Sequence, residues 1–174
     1  MNPHNILTLK GIYRDIIRSP QGQQKYDSGW RSNLIVNNAR RLLAAFMRND
    51  PSQALGVQSL AIGRGDPAWD DKPSAPNASD DRLFDATPVE IAATDLELVY
   101  LNESDLVVNT PTSRLQITAT LGPNVPLADD FYPLREFGLF GRFDGNPFMI
   151  DYVIHPVIYK GPEDTLIRSI RLIF

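Results

Sequence analysis

The sequence predicts a mainly β fold: an antiparallel β-sandwich-like single domain spanning residues 1–174, with one packed α-helix at about 37–48. Three observations predict it. Apolar and polar residues alternate with period two through 113–121 and again near the last residues, as in strands with one buried face. The 174-residue chain is punctuated by 11 Gly and 14 Pro, which suits short strands joined by turns. Only one stretch places its apolar residues at helical spacing.

The elements follow in order. In residues 6–18, Leu7, Leu9 and Tyr13 alternate with Thr8, Lys10 and Arg14, the period of a half-buried strand. Ser19-Pro20-Gln21-Gly22 reads as a turn, because proline presets one dihedral and glycine accepts positive φ. A second extended piece to Gly29-Trp30 completes an N-terminal hairpin over about 6–30. Ala39, Leu42, Leu43, Phe46 and Met47 then fall on one helical face, which puts Leu43 and Phe46 in the core. Asn37 or Asn38 is expected to cap that helix and Asn49-Asp50-Pro51 to stop it.

A short strand at 57–62 ends in Gly63-Arg64-Gly65. Residues 65–81 read as a long exposed loop, with Pro67, Pro73 and Pro76 among Asp66, Asp70, Asp71, Asp80 and Asp81. Loops of that length in a small domain are usually functional or mobile. Strands are expected at 90–93, 96–101, 113–121, 134–143, 148–157 and 165–174, with a second loop at 123–133. Asp144-Gly145-Asn146 has the composition of a hairpin turn. No repeat or linker divides the chain.

Composition narrows the function classes. A net charge of −4 argues against a broad nucleic-acid surface, which needs clustered Lys and Arg. The absence of cysteine excludes disulfides, thiolate zinc sites and cysteine nucleophiles, and fits a cytoplasmic product. Met1-Asn2-Pro3-His4 opens no basic-then-apolar leader, so no signal peptide is expected. No apolar run is long enough for a transmembrane helix. Neither nucleic acid nor membrane is expected as a partner.

The search for chemistry returns little. Neither His4 nor His155 has metal-ligand or triad spacing around it, and His155, just before Pro156, reads as an ordinary strand-end residue. The loop aspartates could supply calcium ligands, but their spacing is not that of an EF-hand and the solvated-loop reading is preferred. Gly63-Arg64-Gly65 lacks the Gly-Lys-Ser/Thr of a phosphate loop. Carboxylates suited to glycoside hydrolysis (Glu97, Glu103, Asp105, Asp129, Asp130, Glu136, Asp151) form no pair that sequence can pick out. The expectation is no enzyme, no cofactor and no metal site.

Three residues stay ambiguous. Glu136, inside the apolar run Leu134-Arg135-Glu136-Phe137-Gly138-Leu139-Phe140, is either a buried carboxylate serving a site or subunit contact, or, more commonly, a residue on a solvated face or paired with an arginine. Gly138 marks a bulge or a close approach. Trp30 is expected in the core. Trp69 is either core or an exposed platform for sugar or protein; with Arg64 and Asp70 it makes the candidate partner-contact set.

The order of several short motifs resembles phage tail proteins of the tail-collar and tail-fibre-associated group and related contractile injection system components. The segment Gly29-Trp30-Arg31-Ser32-Asn33-Leu34-Ile35-Val36-Asn37-Asn38-Ala39-Arg40-Arg41-Leu42-Leu43 resembles their Asn-rich turn and small helix. Ile62-Gly63-Arg64-Gly65 follows, then a variable loop and an anchoring leucine at Leu83. Glu136-Phe137-Gly138-Leu139-Phe140 matches their Glu-x-Gly-Leu-Phe strand, and the match closes on Pro156-Val157-Ile158-Tyr159-Lys160 and Thr165-Leu166-Ile167. The resemblance covers about 26–174, although the group's loop is usually shorter than 65–81. It implies a structural component (collar, baseplate, cap or fibre attachment) assembled in the bacterial cytoplasm and located in a virion tail or tail-like particle. Its implied partners are other tail or baseplate proteins and further copies in a homo-oligomeric ring or multi-copy assembly. The alternative is a carbohydrate- or receptor-binding β-sandwich module of a tail fibre, using Trp69 and the loop carboxylates.

Overall fold

The computed structural model describes residues 9–48, 54–128 and 130–174. Along the chain run β1 (Lys10–Arg18), β2 (Gln24–Asp27), β3 (Arg31–Ser32), β4 (Leu34–Ile35), α1 (Asn37–Met47), β5 (Ala54–Gly63), β6 (Val89–Ala92), β7 (Leu96–Leu101), β8 (Val107–Val108), β9 (Arg114–Leu121), β10 (Tyr132–Phe143), β11 (Asn146–Lys160) and β12 (Thr165–Ile173). They form two antiparallel sheets. One runs β2-β1-β12-β9-β7-β8, with β3 also on β1, and the other runs β4-β11-β10-β5-β6. Among the described residues the fold is mainly β with one α-helix, as the alternation and the single stretch of helical spacing predict.

The main core lies between the sheets. Tyr13, Ile17, Ile117, Leu121, Leu166 and Ile170 from the first sheet meet Leu60, Ile62, Leu134, Phe137, Leu139 and Val153 from the second. Within regular strand these positions share parity because a pleated strand turns alternate side chains to the same face; Leu134 and Phe137, three residues apart, lie on either side of a register shift in β10. A smaller cluster joins Val36, Ala61, Leu83, Met149 and Tyr152, with Phe140 and Ile154 packed against it. Here Leu83 is brought against the second sheet by the segment joining β5 to β6.

The turns behave as their residues demand. Asp144 (φ 49°) and Gly145 (φ 78°) are both left-handed, and Phe143 pairs with Asn146 across them. That is the tight two-residue hairpin whose twist suits flanking strands. The first hairpin closes through the Gly22 N–H donating to Ser19 O at 2.9 Å.

Four expectations are corrected. Leu43 and Phe46 are 37% and 41% exposed, whereas Ala39 and Leu42 are buried; α1 lies against β5 and β11 along only part of its apolar stripe. Neither Asn37 nor Asn38 caps the helix. Val36 holds the cap position without a side-chain bond, and the Asn37 N–H donates to Ala78 O at 2.8 Å instead. The stop at 49–51 lies outside the described residues. Trp30 is 38% exposed, with the Arg171 guanidinium 4.1 Å over its ring.

His155 is the fourth. It is no strand-end residue, since β11 continues through Pro156 to Lys160 and His155 is only 2% exposed. The β10–β11 register shifts between the pairs Leu134–Ile158 and Glu136–Ile154, so Pro156 falls in a bulge. A proline there leaves no ladder bond unmade.

Candidate functional site

The outer face of the second sheet carries a trough of small residues. Gly63 and Ala61 on β5 pair with Glu136 and Gly138 on β10, and Gly138 pairs with Tyr152 on β11. A Cβ at Gly138 would meet Leu83 Cδ1 at 2.9 Å, and one at Gly63 would meet Glu136 Oε1 at 2.5 Å. The missing side chains admit Leu83 and the Glu136 carboxylate to the sheet. Gly138 therefore serves a close approach.

Glu136 is fully buried and holds the β5–β6 segment down. Its Oε2 accepts the Phe84 N–H at 2.9 Å and its Oε1 accepts the Asp85 N–H at 2.7 Å. The Tyr152 hydroxyl donates to Oε2 at 2.6 Å; burial first, then this bond to Glu136, pushes the Tyr152 pKa upward. Charged hydrogen bonds of this kind are about twice as strong as neutral ones. Asp85 extends the network. It accepts the Arg64 N–H at 2.8 Å and the Thr87 N–H at 2.9 Å.

Arg135, the neighbour of Glu136, makes a second clamp. Its Nε and Nη2 donate to the two Asp70 oxygens at 2.6 and 2.9 Å, and its Nη1 donates to Arg64 O at 2.9 Å. The bidentate bond holds the Asp70 carboxyl below its usual pKa. Pro67–Asp70 forms a 3-10 turn capped by Asp66, which accepts the Ala68 N–H at 2.9 Å. Trp69 lies half-buried over Gly65 (φ 57°), where a Cβ would meet its ring at 2.6 Å, and tilts against Phe84 at 5.2 Å.

The two clamps leave Phe84 61% exposed although its own amide is buried in a bond to Glu136. A cleft of about 630 Å³ opens beside it, lined by Arg64, Asp85, Thr87, Leu127 and Tyr132 among others. The Arg64 guanidinium sits 4.8 Å from the Tyr132 ring centroid, and Leu127 is 79% exposed on the far wall. Arg64, Trp69 and Asp70 are thus brought together, with Asp70 engaged internally by Arg135. The loop aspartates are used singly: Asp66 caps a turn, Asp70 takes Arg135, and Asp80 accepts the Asn77 N–H at 2.8 Å.

A second ionisable cluster lies in the main core. Asp15 and Arg168 face each other on β1 and β12, joined by bonds of 2.6 and 2.9 Å. Arg168 also reaches His155 Nε2 at 3.1 Å and stacks 4.0 Å from the Phe137 ring centroid. Burial, with Arg168 adding to it, drops the His155 pKa to about 4. Asp151, bonded by the Leu139 N–H at 3.0 Å and by the Asn33 amide, is pushed by burial up to about 7. Lys160 is 1% exposed and donates to Gly122 O at 2.9 Å, tying down the base of the β9–β10 loop.

Sequence reasoning missed Phe84, Asp85 and Arg135 as a unit. It also missed Asp15, although a charged residue between Tyr13 and Ile17 on a buried face is a usable signal. No family model matches the sequence, and neither a curated protein nor a solved structure does.

Proposed function

We propose that this chain is a structural, non-catalytic component of a phage tail or phage-tail-like contractile particle, present in several copies and working through contacts with neighbouring tail proteins. The supporting observation is a convergence. Gly63-Arg64-Gly65, Leu83 and Glu136-Phe137-Gly138, the scattered motifs that resemble the tail group, meet in one latch: Glu136 stands against Gly63, and Leu83 lies against Gly138. Motifs 55 and 73 residues apart that serve a single contact form a coherent signature, and the latch presents a surface in place of a catalytic pair. The rival reading, a carbohydrate- or receptor-binding module, draws on the 630 Å³ cleft, whose size suits a small ligand.

The test is to tag the protein in its native host and isolate intact particles. Repeated copies at one ring or junction level support assembly, and density confined to a distal fibre tip supports the rival. A protein absent from every particle, with normal particles in its deletion strain, overturns the assembly reading.

A further inference from the structure

We propose that the segment 64–90, crested by Phe84, is the docking surface for a different protein that presents an apolar pocket rimmed by lysine and arginine. This rests on the assembly reading and names the surface and partner chemistry it would use.

The first argument is charge. Residues 64–90 hold seven acidic residues (Asp66, Asp70, Asp71, Asp80, Asp81, Asp85, Glu90) and three basic ones (Arg64, Lys72, Arg82), a balance of −4. The whole chain, with 21 acidic and 17 basic residues, is also −4. The remainder therefore has 14 of each sign and is neutral. All of the net charge sits on one segment covering one sheet face, and complementary potential is what steers and orients partners. The sign excludes anionic occupants such as nucleic acid or an acidic membrane surface. A second copy presenting the same surface would set −4 against −4, and one presenting any other face would offer a remainder without net positive charge, so the basic partner is another protein.

The second argument is the anchor. Phe84 is 61% exposed, yet its backbone is fastened to a buried carboxylate. A large ring held on a fixed backbone loses little conformational freedom when a partner covers it, and aromatic side chains are enriched in interface cores. Phe84 also borders three hollows, of about 630, 460 and 490 Å³. It is a ridge between hollows, a relief that a complementary surface can grip. Asp80 and Asp81 line one of these hollows with Phe84, and the exposed Asp71 and Glu90 add negative charge further along the same segment.

The experiment uses intact particles that contain the tagged protein. Zero-length carbodiimide coupling joins carboxylates to lysines, so links are expected from Asp71, Asp80, Asp81 or Glu90 to lysines of a second protein. In parallel, Phe84→Ser and the triple variant Asp71→Asn/Asp81→Asn/Glu90→Gln, whose three positions are exposed, should each lower the copy number per particle at least tenfold, with a cooperative melting transition retained. Phe46→Ser, altering an exposed ring on α1, should leave the copy number as it was. If the parent protein is absent from particles, the assembly reading fails. If the parent is present, the docking surface is overturned by variants that incorporate at parental copy number, by links from other segments alone, or by an equal loss in Phe46→Ser.

Discussion

Asp15 and Glu136 are both buried to 0% exposure, but they are satisfied in opposite ways. Asp15 meets a cation, Arg168, directly across a strand pair and 153 residues away in sequence. Among the described residues Glu136 makes no ion pair; two backbone N–H groups and one tyrosine hydroxyl satisfy it. The first cluster lies between the sheets and binds β1 to β12, with Phe137 and His155 of the opposite sheet around it. The second fastens an irregular segment to an outer face. The buried ion pair joins opposed positions of β1 and β12, and removing either partner leaves an uncompensated buried charge. A buried carboxylate beneath a loop gives that loop one conformation.

The largest effect separating the two should come from breaking the ion pair. Arg168→Met leaves Asp15 buried without its partner, which costs roughly 3–5 kcal/mol. Adding Asp15→Leu should restore at least half of it, since an apolar pair of similar volume is often no worse than the charges it replaces. Urea midpoints of the three proteins check this, and a double variant no better than the single one would contradict it.

Next is pH. The native state keeps His155 neutral down to about 4, while the unfolded chain protonates it near 6.5. Stability from this group is therefore present above 6.5 and is lost as pH falls toward 4, by roughly 3 kcal/mol. Asp151 has the opposite sign. It holds its proton up to about 7, whereas the unfolded carboxyl releases it near 3.9. Its contribution, roughly 4 kcal/mol, is full at the low end and is lost as pH rises through 7. The two nearly cancel, so the parent protein should be flat between pH 4.5 and 6.5. His155→Gln should then lose stability as pH rises across that window, and Asp151→Asn should gain it. Denaturation midpoints at the two pH values decide the matter.

A smaller contrast lies along the helix. Leu42→Ala removes a side chain that is 4% exposed and should cost about 3 kcal/mol through lost burial and a cavity. Leu43→Ala, at 37% exposure, should cost less than half of that. Equal melting temperatures for the two variants would refute the assigned helix face.

These contrasts mark how far the sequence is legible. The strands could be read because period two survives wherever a strand is regular, as in Ile117, Ala119 and Leu121. The depth of α1 could not, because a helical stripe gives a direction and not how much of it the sandwich covers. Glu136 was ambiguous for a local reason. The register shifts between Leu134 and Glu136 on β10, so alternation counted from Leu134 does not say which face Glu136 takes. Arg168 sits among Leu166, Ile170 and Leu172, where alternation assigns it to the core and its charge argues for solvent; its partner Asp15 is far away in sequence. Phe84 lies in a segment with no period, and its exposure depends on bonds that cross 51 and 52 residues. Of the three candidate contact residues, Arg64, Trp69 and Asp70, all fall on the surface crested by Phe84. What composition could not reveal is that Arg135 uses Asp70 as an internal clamp.

The central claim is that Glu136 holds residues 83–85 in a single conformation and so presents Phe84 as a fixed surface feature. Glu136→Gln keeps the shape but sets an NH2 donor where one accepting oxygen was, against a backbone N–H or the Tyr152 hydroxyl, for a loss of roughly 1.5–3 kcal/mol. Native-state amide hydrogen exchange reads the claim at the atoms concerned. In the parent protein the Phe84 and Asp85 amides should exchange far more slowly than free loop amides. In Glu136→Gln both should speed up at least tenfold, while the Leu139 amide, bonded to Asp151, keeps its protection. Parental Phe84 and Asp85 amides that already exchange at free-loop rates would contradict the account.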